Sequence, residues 1–381
     1  MNMNHAHKTV EKFSDECIQC GACLDACKLL NDLGLSPGEI AEAILKDQTD
    51  AECVAAIQRC DLCGRCSQDC LVNLSPAELF KAAREVLIQQ GRIDPEEYDV
   101  MRVDRDWNFF TIYRENYGIH YADLYADQYD ALFFPGCILS AYAPELTRCA
   151  FGWLQERGWQ VGFSENCCAK PLDSIGLSLA ADRYLDRLRG QLAVAGAQEI
   201  ITACPNCEAH LRAAQIPNIK IRSIYSLMVE AGIHLSGSDR LTFHDSCPDR
   251  YNDQNPRNVR AIVGGYPQVE MASHGKIALC CGSGGIVSTV DPELCSTRAQ
   301  RRLSEFTASG ADTCMTSCMA CAYRLAREAK PGQVRHCLEY VFDIQMDYAQ
   351  IEANNNAMWE GSQGELNLQR LAHAQLLIRK E

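Results

Sequence analysis

Eight cysteines carry the first chemical signal. Cys17, Cys20, Cys23 and Cys27, and then Cys60, Cys63, Cys66 and Cys70, are each spaced C-x2-C-x2-C-x3-C. Three thiolates at two-residue intervals wrap a tight loop around three corners of an iron-sulfur cube, and the fourth, on the helix that follows, reaches a different cube. Each cluster therefore borrows a ligand from the other motif. One 4Fe-4S cluster is expected on Cys17, Cys20, Cys23 and Cys70, and a second on Cys60, Cys63, Cys66 and Cys27. Zinc also suits thiolate tetrads, but it does not call for a third cysteine at the same short interval, twice.

A second constellation lies further on. Cys137, the pair Cys167-Cys168 and Cys204-x2-Cys207 recur as Cys247, the pair Cys280-Cys281 and Cys318-x2-Cys321, at offsets of 110, 113 and 114 residues. The elements around them repeat too. Residues 131–134, 199–202 and 241–243 read as short apolar strands, and helical patterns run over 145–157, 177–195 and 292–309, closed by Gly158, Gly196 and Gly310. Strands alternating with helices predict parallel sheets with crossovers. Each cysteine then sits at the carboxyl end of a strand, where such sheets bind ligands. Five thiolates converge per copy, and the two copies can face each other across a pseudo-two-fold axis. A cubane takes four, so five point to a larger or more open group. Adjacent cysteines cannot both bind one small tetrahedral ion without strain, yet they can bridge or cap separate irons.

The elements that must position these sulfurs define an α/β chain with an α-helical N-terminal domain. Ser36-Pro37-Gly38-Glu39, ahead of Ile40, Ile44 and Leu45, predicts a capped helix, and Ser75-Pro76-Ala77-Glu78 starts another that runs to about Gln90 and ends at Gly91. The expected organisation is a helical ferredoxin-like domain over 1–92, a connector over 93–130, two α/β copies over 131–235 and 236–345, and a tail over 346–381. In the connector, Trp107, Phe109, Phe110, Tyr113 and Tyr117 read as packing. In the tail, Leu366, Leu368, Leu371, Leu376 and Leu377 mark a helix over 365–379 that docks on a partner or on this chain.

With 36 basic and 50 acidic side chains among 381 residues, the net charge of −14 argues against nucleic acid and anionic lipid as partners. The longest uncharged stretches, 131–144 and 277–290, have 14 residues each, short of the 18 or so a transmembrane helix needs. Met1 to Val10 contains no apolar signal core. The expected location is the cytoplasm, or the periphery of a membrane. In a reducing compartment 23 cysteines imply metal binding or redox chemistry, not disulfide staples.

The order C-x29-C-C-x35-C-x2-C followed by C-x32-C-C-x36-C-x2-C resembles the tandem cysteine-rich CCG domains found in the B component of heterodisulfide reductase and in iron-sulfur subunits of glycolate, lactate and anaerobic glycerol-3-phosphate oxidising systems. The N-terminal region is similar to the C component of heterodisulfide reductase, so over residues 14–340 the chain looks like a C-B fusion. The resemblance implies a noncubane 4Fe-4S cluster on Cys137, Cys167, Cys168, Cys204 and Cys207, another on Cys247, Cys280, Cys281, Cys318 and Cys321, and a disulfide split between them. Cys167, Cys168, Cys280 and Cys281 then become catalytic candidates. Cys280-Cys281-Gly282-Ser283-Gly284-Gly285 fits the family motif closely. The first copy departs from it, reading Cys167-Cys168-Ala169-Lys170-Pro171; a methyl group there is expected to require a residue that avoids positive φ. Lys170 reads either as a charge beside an anionic cluster or substrate carboxylate, or as a surface lysine. His244, with Asp245, reads either as a proton donor to a leaving thiolate or as a hydrogen bond that fixes the loop. Cys53, Cys149, Cys295, Cys314 and Cys337 read as buried small hydrophobes.

Reducing a disulfide takes two electrons, whereas iron-sulfur clusters move one at a time. Two clusters flanking one disulfide meet that need, with the two cubanes as the wire. The chain carries no G-x-G-x-x-G dinucleotide motif, so the donor is expected to be a flavoprotein resembling the A component of heterodisulfide reductase, or a flavin dehydrogenase, in a larger complex. Three readings stand at this point. The first is a heterodisulfide-reductase-like oxidoreductase subunit of anaerobic metabolism. The second is an electron-transfer subunit of a flavin-dependent glycolate, lactate or glycerol-3-phosphate type dehydrogenase delivering electrons to a quinone. The third is a zinc-bearing CCG scaffold.

Overall fold

The computed structural model describes residues 3–377. The N-terminal region is helical, and its first element is the helix Met3–Glu16, whose Ala6, Val10 and Phe13 recur at helical spacing on one buried stripe. That stripe packs on the helices Pro37–Leu45 and Pro76–Gln89. The first of these begins as its sequence dictates: Ser36 Oγ accepts from the Glu39 N–H, and the Glu39 carboxylate accepts from the Ser36 N–H at 2.8 Å. Ile40 and Ile44 are buried, whereas Leu45 is exposed. The second begins at Pro76, but Ser75 provides no side-chain cap; its hydroxyl lies 3.1 Å from that of Ser67 instead. Proline at the first helical position suffices, because it has no N–H to satisfy and its φ is already helical.

Two parallel sheets follow. β1 (Ala131–Phe134), β2 (Val161–Phe163), β3 (Glu199–Thr202) and β4 (Lys220–Ser223) form the first, in the order β2-β1-β3-β4. β5 (Leu241–Phe243), β6 (Thr313–Thr316) and β7 (Val334–His336) form the second, in the order β5-β6-β7. β1, β3 and β4 thus recur as β5, β6 and β7, with the register Ala131↔Glu199 repeated as Leu241↔Thr313. The counterpart of β2 shrinks to a single bridge, Leu241↔Gln268; Pro267, just before it, lacks the N–H that would extend the ladder. The helices Pro144–Glu156, Ser178–Ala195 and Pro292–Ser309 lie where the periodicity puts them.

Connector and tail share one core with the repeat. Phe110, Ile112, Tyr113 and Tyr121 pack in the same cluster as the first sheet, Phe243 of the second, and Tyr348, Ile351 and Met358 of the tail. Tyr117 Oη donates to Asn354 O at 2.7 Å, and Asn355 Nδ2 donates to Tyr323 Oη at 2.7 Å. The tail therefore docks on this chain. Its leucine-marked helix spans Gly361–Ala372 and not 365–379. Beyond it the backbone leaves the helix to pair with the connector, Leu377 N–H donating to Asp104 O at 2.8 Å; Arg379 lies outside the described residues. Among the described residues no helix is long and apolar enough to cross a membrane.

Arg84, which is 2% exposed, fastens the helical region to both copies of the repeat. Its guanidinium donates to the carbonyls of Ile57, Gln58 and Cys60, to Ser174 O in the first copy, and to Gly285 O in the second. Gly284 and Gly285 press so closely on the second cysteine loop that an added Cβ would come within 2.3 Å of Asp61 O or 2.1 Å of Cys60 O. Only glycine permits that approach. Arg298 closes the same junction through Asp61, at 2.6 Å.

Candidate functional site

Two nests of cysteines form in the helical region, and each draws on both motifs. One cavity is lined by Cys17, Cys20, Cys23 and Cys70. In the other, Cys60, Cys63 and Cys66 stand close enough to Cys27 for each to feel its charge or contribute to it. Cys27 reaches across because it sits in extended backbone between the helices Ala22–Ala26 and Lys28–Leu33. Burial pushes four of these thiols up, Cys27 and Cys66 among them: Cys23 to about 11, with the neighbouring Cys17 adding to the effect, and Cys60 to about 12. A metal that displaces the thiol protons removes that conflict between burial and like charge.

The ten cysteines of the repeat meet between the two sheets. Cys204 and Cys318 directly precede the helices Pro205–Ala213 and Met319–Ala326, just past the ends of β3 and β6. Each C-x2-C therefore places two sulfurs at a helix N-terminus, where the backbone favours negative charge. A cavity of ≈ 160 Å³ is lined by all five cysteines of the first copy and by Cys247, Cys281, Cys318 and Cys321 of the second. Contacts run from sulfur to sulfur without a break, through Cys137, Cys167, Cys168, Cys207 and Cys204 and then Cys318, Cys321, Cys281, Cys280 and Cys247. The Cys281–Cys321 separation is 3.3 Å. The path crosses between copies at Cys204 and Cys318, which are counterparts, so that contact marks the pseudo-two-fold axis. Tyr225 stands on the same axis, its Oη 3.3 Å from Ala203 O and 3.2 Å from Ser317 O, the residues that precede the two cysteines. Past Cys247 and Cys280 the contacts continue to Cys63. The second nest of the helical region thus touches the second quintet.

These sulfur groupings coincide with known families. Residues 13–74 match the 4Fe-4S dicluster domain, and residues 131–212 and 241–326 each match the cysteine-rich domain CCG. The chain belongs to the proteins that join a 4Fe-4S dicluster domain to tandem CCG domains. It is 22% identical over 334 residues to the B component of fumarate reductase (CoM/CoB) from Methanothermobacter marburgensis, across 80% of this chain and 66% of that one. The chain therefore spans just under two thirds of that relative's length. The D component of dihydromethanophenazine:CoB–CoM heterodisulfide reductase from Methanosarcina mazei is 23% identical over 388 residues, across 87% of this chain and 92% of that one. Over 77 residues, 20% of this chain and 31% of the relative, the C component of ferredoxin:CoB–CoM heterodisulfide reductase from Methanosarcina acetivorans is 31% identical. This is an iron-sulfur protein related in sequence to heterodisulfide reductase subunits.

In this tandem CCG protein the two copies are electrostatically unequal. His244 is buried, and its Nδ1 accepts a hydrogen bond from Arg302 Nε at 3.1 Å. Nδ1 thus holds a lone pair, so the neutral ring carries its hydrogen on Nε2. Nε2 is buried with no hydrogen-bond partner, and a ring nitrogen of His244 and the sulfurs of Cys281 and Cys321 lie within 4.8 Å of one another. A protonated Nε2 beside sulfur is a donor and cannot ligate zinc, so the His-Cys-Cys grouping does not fit a zinc site with the ring in this tautomer. Hydrogen bonds from Cys280 and Cys321, with His244 adding a third, pull the Cys281 thiol well down. By the repeat offsets, Phe134 occupies the place of His244 and Leu188 that of Arg302. The polar pair beside the second quintet is an apolar pair beside the first.

Ala169 and Cys149 depart from sequence expectation, and Lys170 takes the first of its two readings. Ala169 adopts φ +67°, in the place of Gly282 at φ +85°, so the first copy bends the same way despite its methyl group, at a strain of about 1 kcal/mol. Its five cysteines come together regardless. Lys170 is not a surface lysine: it lines the sulfur cavity, and burial pulls its ammonium down. Of the remaining cysteines, Cys53, Cys295, Cys314 and Cys337 are buried, whereas Cys149 is half-buried on the helix Pro144–Glu156. Sequence reasoning did not reach Arg302, Arg84 or Arg298. For Arg302 a signal existed, since superposing the two copies residue by residue sets arginine against leucine.

Proposed function

We propose that this chain is the catalytic iron-sulfur subunit of a heterodisulfide-reductase-like system, in which a thiol disulfide is reduced between the two cysteine quintets. The observation that carries the reading is the unbroken path of ten cysteine sulfurs, nine of which line one cavity, touching Cys63 at one end. Cys17, Cys20, Cys23 and Cys70 would hold one cubane and Cys60, Cys63, Cys66 and Cys27 the other. The quintets Cys137, Cys167, Cys168, Cys204, Cys207 and Cys247, Cys280, Cys281, Cys318, Cys321 would each hold a noncubane 4Fe-4S cluster. Thiolate-only donor sets fit such groups. When bound, the clusters supply electrons one at a time, two for each disulfide.

The protein's own groups then do the rest. The cavity holds the disulfide between facing quintets and excludes water, while Lys170 places a cation at its edge. The S–S bond breaks, two electrons from a flavoprotein partner and two protons enter, and two thiols leave. Iron and acid-labile sulfide analysis of anaerobically purified protein should give about 16 iron atoms per chain. About 8, with zinc making up the difference, rejects the noncubane reading. Reduction of disulfides by reduced viologen separates this catalytic role from that of an electron-transfer protein feeding a quinone, which would reduce none.

His244 belongs to this reading as a positioning residue that donates to Cys281 sulfur. Replacing it with phenylalanine, the residue of the first copy, removes a hydrogen bond worth ~1 kcal/mol and lowers the potential of the second cluster by about 40 mV. A redox titration followed by electron paramagnetic resonance reads this directly, and an unmoved potential would exclude the hydrogen bond.

A further inference from the structure

The turn Cys247–Arg250 brings the second copy against the second cysteine loop of the helical region. Tyr251, which ends the turn, lies over Gly64 so closely that only a residue without a Cβ fits beneath it. Cys247 meets Cys63 across this seam, and Cys280 joins them. Arg250 turns the other way, into the protein, and is 2% exposed. Its Nε donates to Cys247 O at 3.1 Å, Nη1 to Lys276 O at 2.6 Å and Nη2 to Ala278 O at 3.1 Å. The guanidinium is thus clamped between the backbone of Cys247 and the segment that leads into Cys280.

Nothing cancels its charge. Among the described residues Arg250 pairs with no carboxylate. Arg298 enters the same seam, but Asp61 neutralises it at 2.6 Å, and Arg302 is paired with Glu305 at 2.5 Å. Arg84 also lacks a carboxylate, but it lies behind Cys60, on the helical side of the seam. Lys170 feels Cys168 of one quintet and Cys247 of the other, so it does not tell them apart. Burial opposes the charge of Arg250, yet Cys247, Cys63 and Cys280 hold its guanidinium above the ordinary range. In the first copy, by the offset of 110 residues, its place is taken by Ser140, whose buried hydroxyl donates to Gly136 O at 2.9 Å. A guanidinium keeps its proton at any pH at which proteins fold. Its effect on a neighbouring charge is larger in a buried junction than in water.

We propose that Arg250 is a positioning residue for electrons: its fixed charge raises the reduction potentials on both sides of the seam, at Cys60, Cys63, Cys66 and Cys27 and at the second quintet, but not at the first cubane nest. This goes beyond the disulfide-reducing reading and rests on it only for the presence of the clusters. Each electron supplied by the flavoprotein partner adds one negative charge to the group that accepts it. A cation at the seam stabilises that added charge, so electrons collect at the second quintet before the first is reduced. The neutral Ser140 gives the first quintet no such help.

The test is a redox titration of the anaerobically loaded full chain, followed by electron paramagnetic resonance without any disulfide present. Cys281→Ser and Cys20→Ser identify the signals of the second quintet and of the first cubane. Arg250→Gln keeps side-chain donors for the carbonyls but removes the charge. It is expected to weaken the electron affinity of the second quintet and of the Cys63 cubane about tenfold each, or about 59 mV for one electron, and to leave the first cubane where it was. Arg250→Lys restores the charge without the planar fork and is expected to recover more than half of each shift. Equal shifts in the two variants, no shift in either, or an equal shift at the first cubane overturns the proposal. Should Arg250→Gln lose the iron of the second quintet, retention of that iron by Arg250→Lys supports the role of charge, and loss in both overturns it. About 16 irons with unmoved potentials removes this proposal and leaves the cluster reading standing, whereas about 8 irons in the unaltered chain removes both.

Discussion

Cys281→Ser should abolish viologen-driven disulfide reduction and remove about 4 of the roughly 16 irons, while the spectra of the two cubanes stay as they are. Cys281 is buried and sits mid-path in the second quintet, touching Cys280 and Cys321 and facing His244. Serine keeps the shape but replaces a soft thiolate by a poorly ionised hydroxyl, a mismatch for iron-sulfur ligation. The cubane cysteines belong to other elements, so their iron is untouched. Metal analysis, cubane spectra and turnover on one preparation are the measurement. Unchanged turnover would defeat the assignment of the second quintet, whereas loss of all iron would show that the mutant fails to fold.

The other large effect is expected at Arg84. Arg84→Leu strips the donors from five carbonyls at a buried junction. Breaking a buried charged network of this kind costs about 3–5 kcal/mol, and it does so at the seam between the Cys60 loop and Gly285. Thermal melting should fall by roughly 10 °C. Electron delivery to the second quintet should slow even at temperatures where the chain remains folded. Lysine does not rescue, since one ammonium cannot reach carbonyls contributed by three parts of the chain. A melting temperature within about 2 °C of the parent, an arbitrary but strict margin, would mean that the glycine contacts and Arg298–Asp61 hold the junction unaided.

What the sequence disclosed and what it hid divide along physical lines. Cysteine spacing is a local property, and the duplication repeats it, so the ten sulfurs and the strand ends that carry them were readable without coordinates. Periodicity likewise placed the helices Ser178–Ala195 and Pro292–Ser309. The arginines were not readable, because Arg84 finds partners up to 201 residues away and Arg302 up to 59, and nothing beside an arginine reveals which distant carbonyl awaits it. The tail misled for a related reason. Its leucines suggest a helix through Leu377, but tertiary pairing of that segment with Asp104 and Asp106 overrides local helical preference. Ala169 misled in the opposite sense, since a strained backbone is tolerated where the surrounding contacts over-determine it.

The meeting of Cys204 with Cys318, with Tyr225 astride both strands, has a corollary for assembly. Each copy supplies only half of the sulfur path, so a single copy could complete it only by pairing with a second. Because both copies lie in one polypeptide they need not be identical, and Phe134 and His244, at equivalent positions, differ.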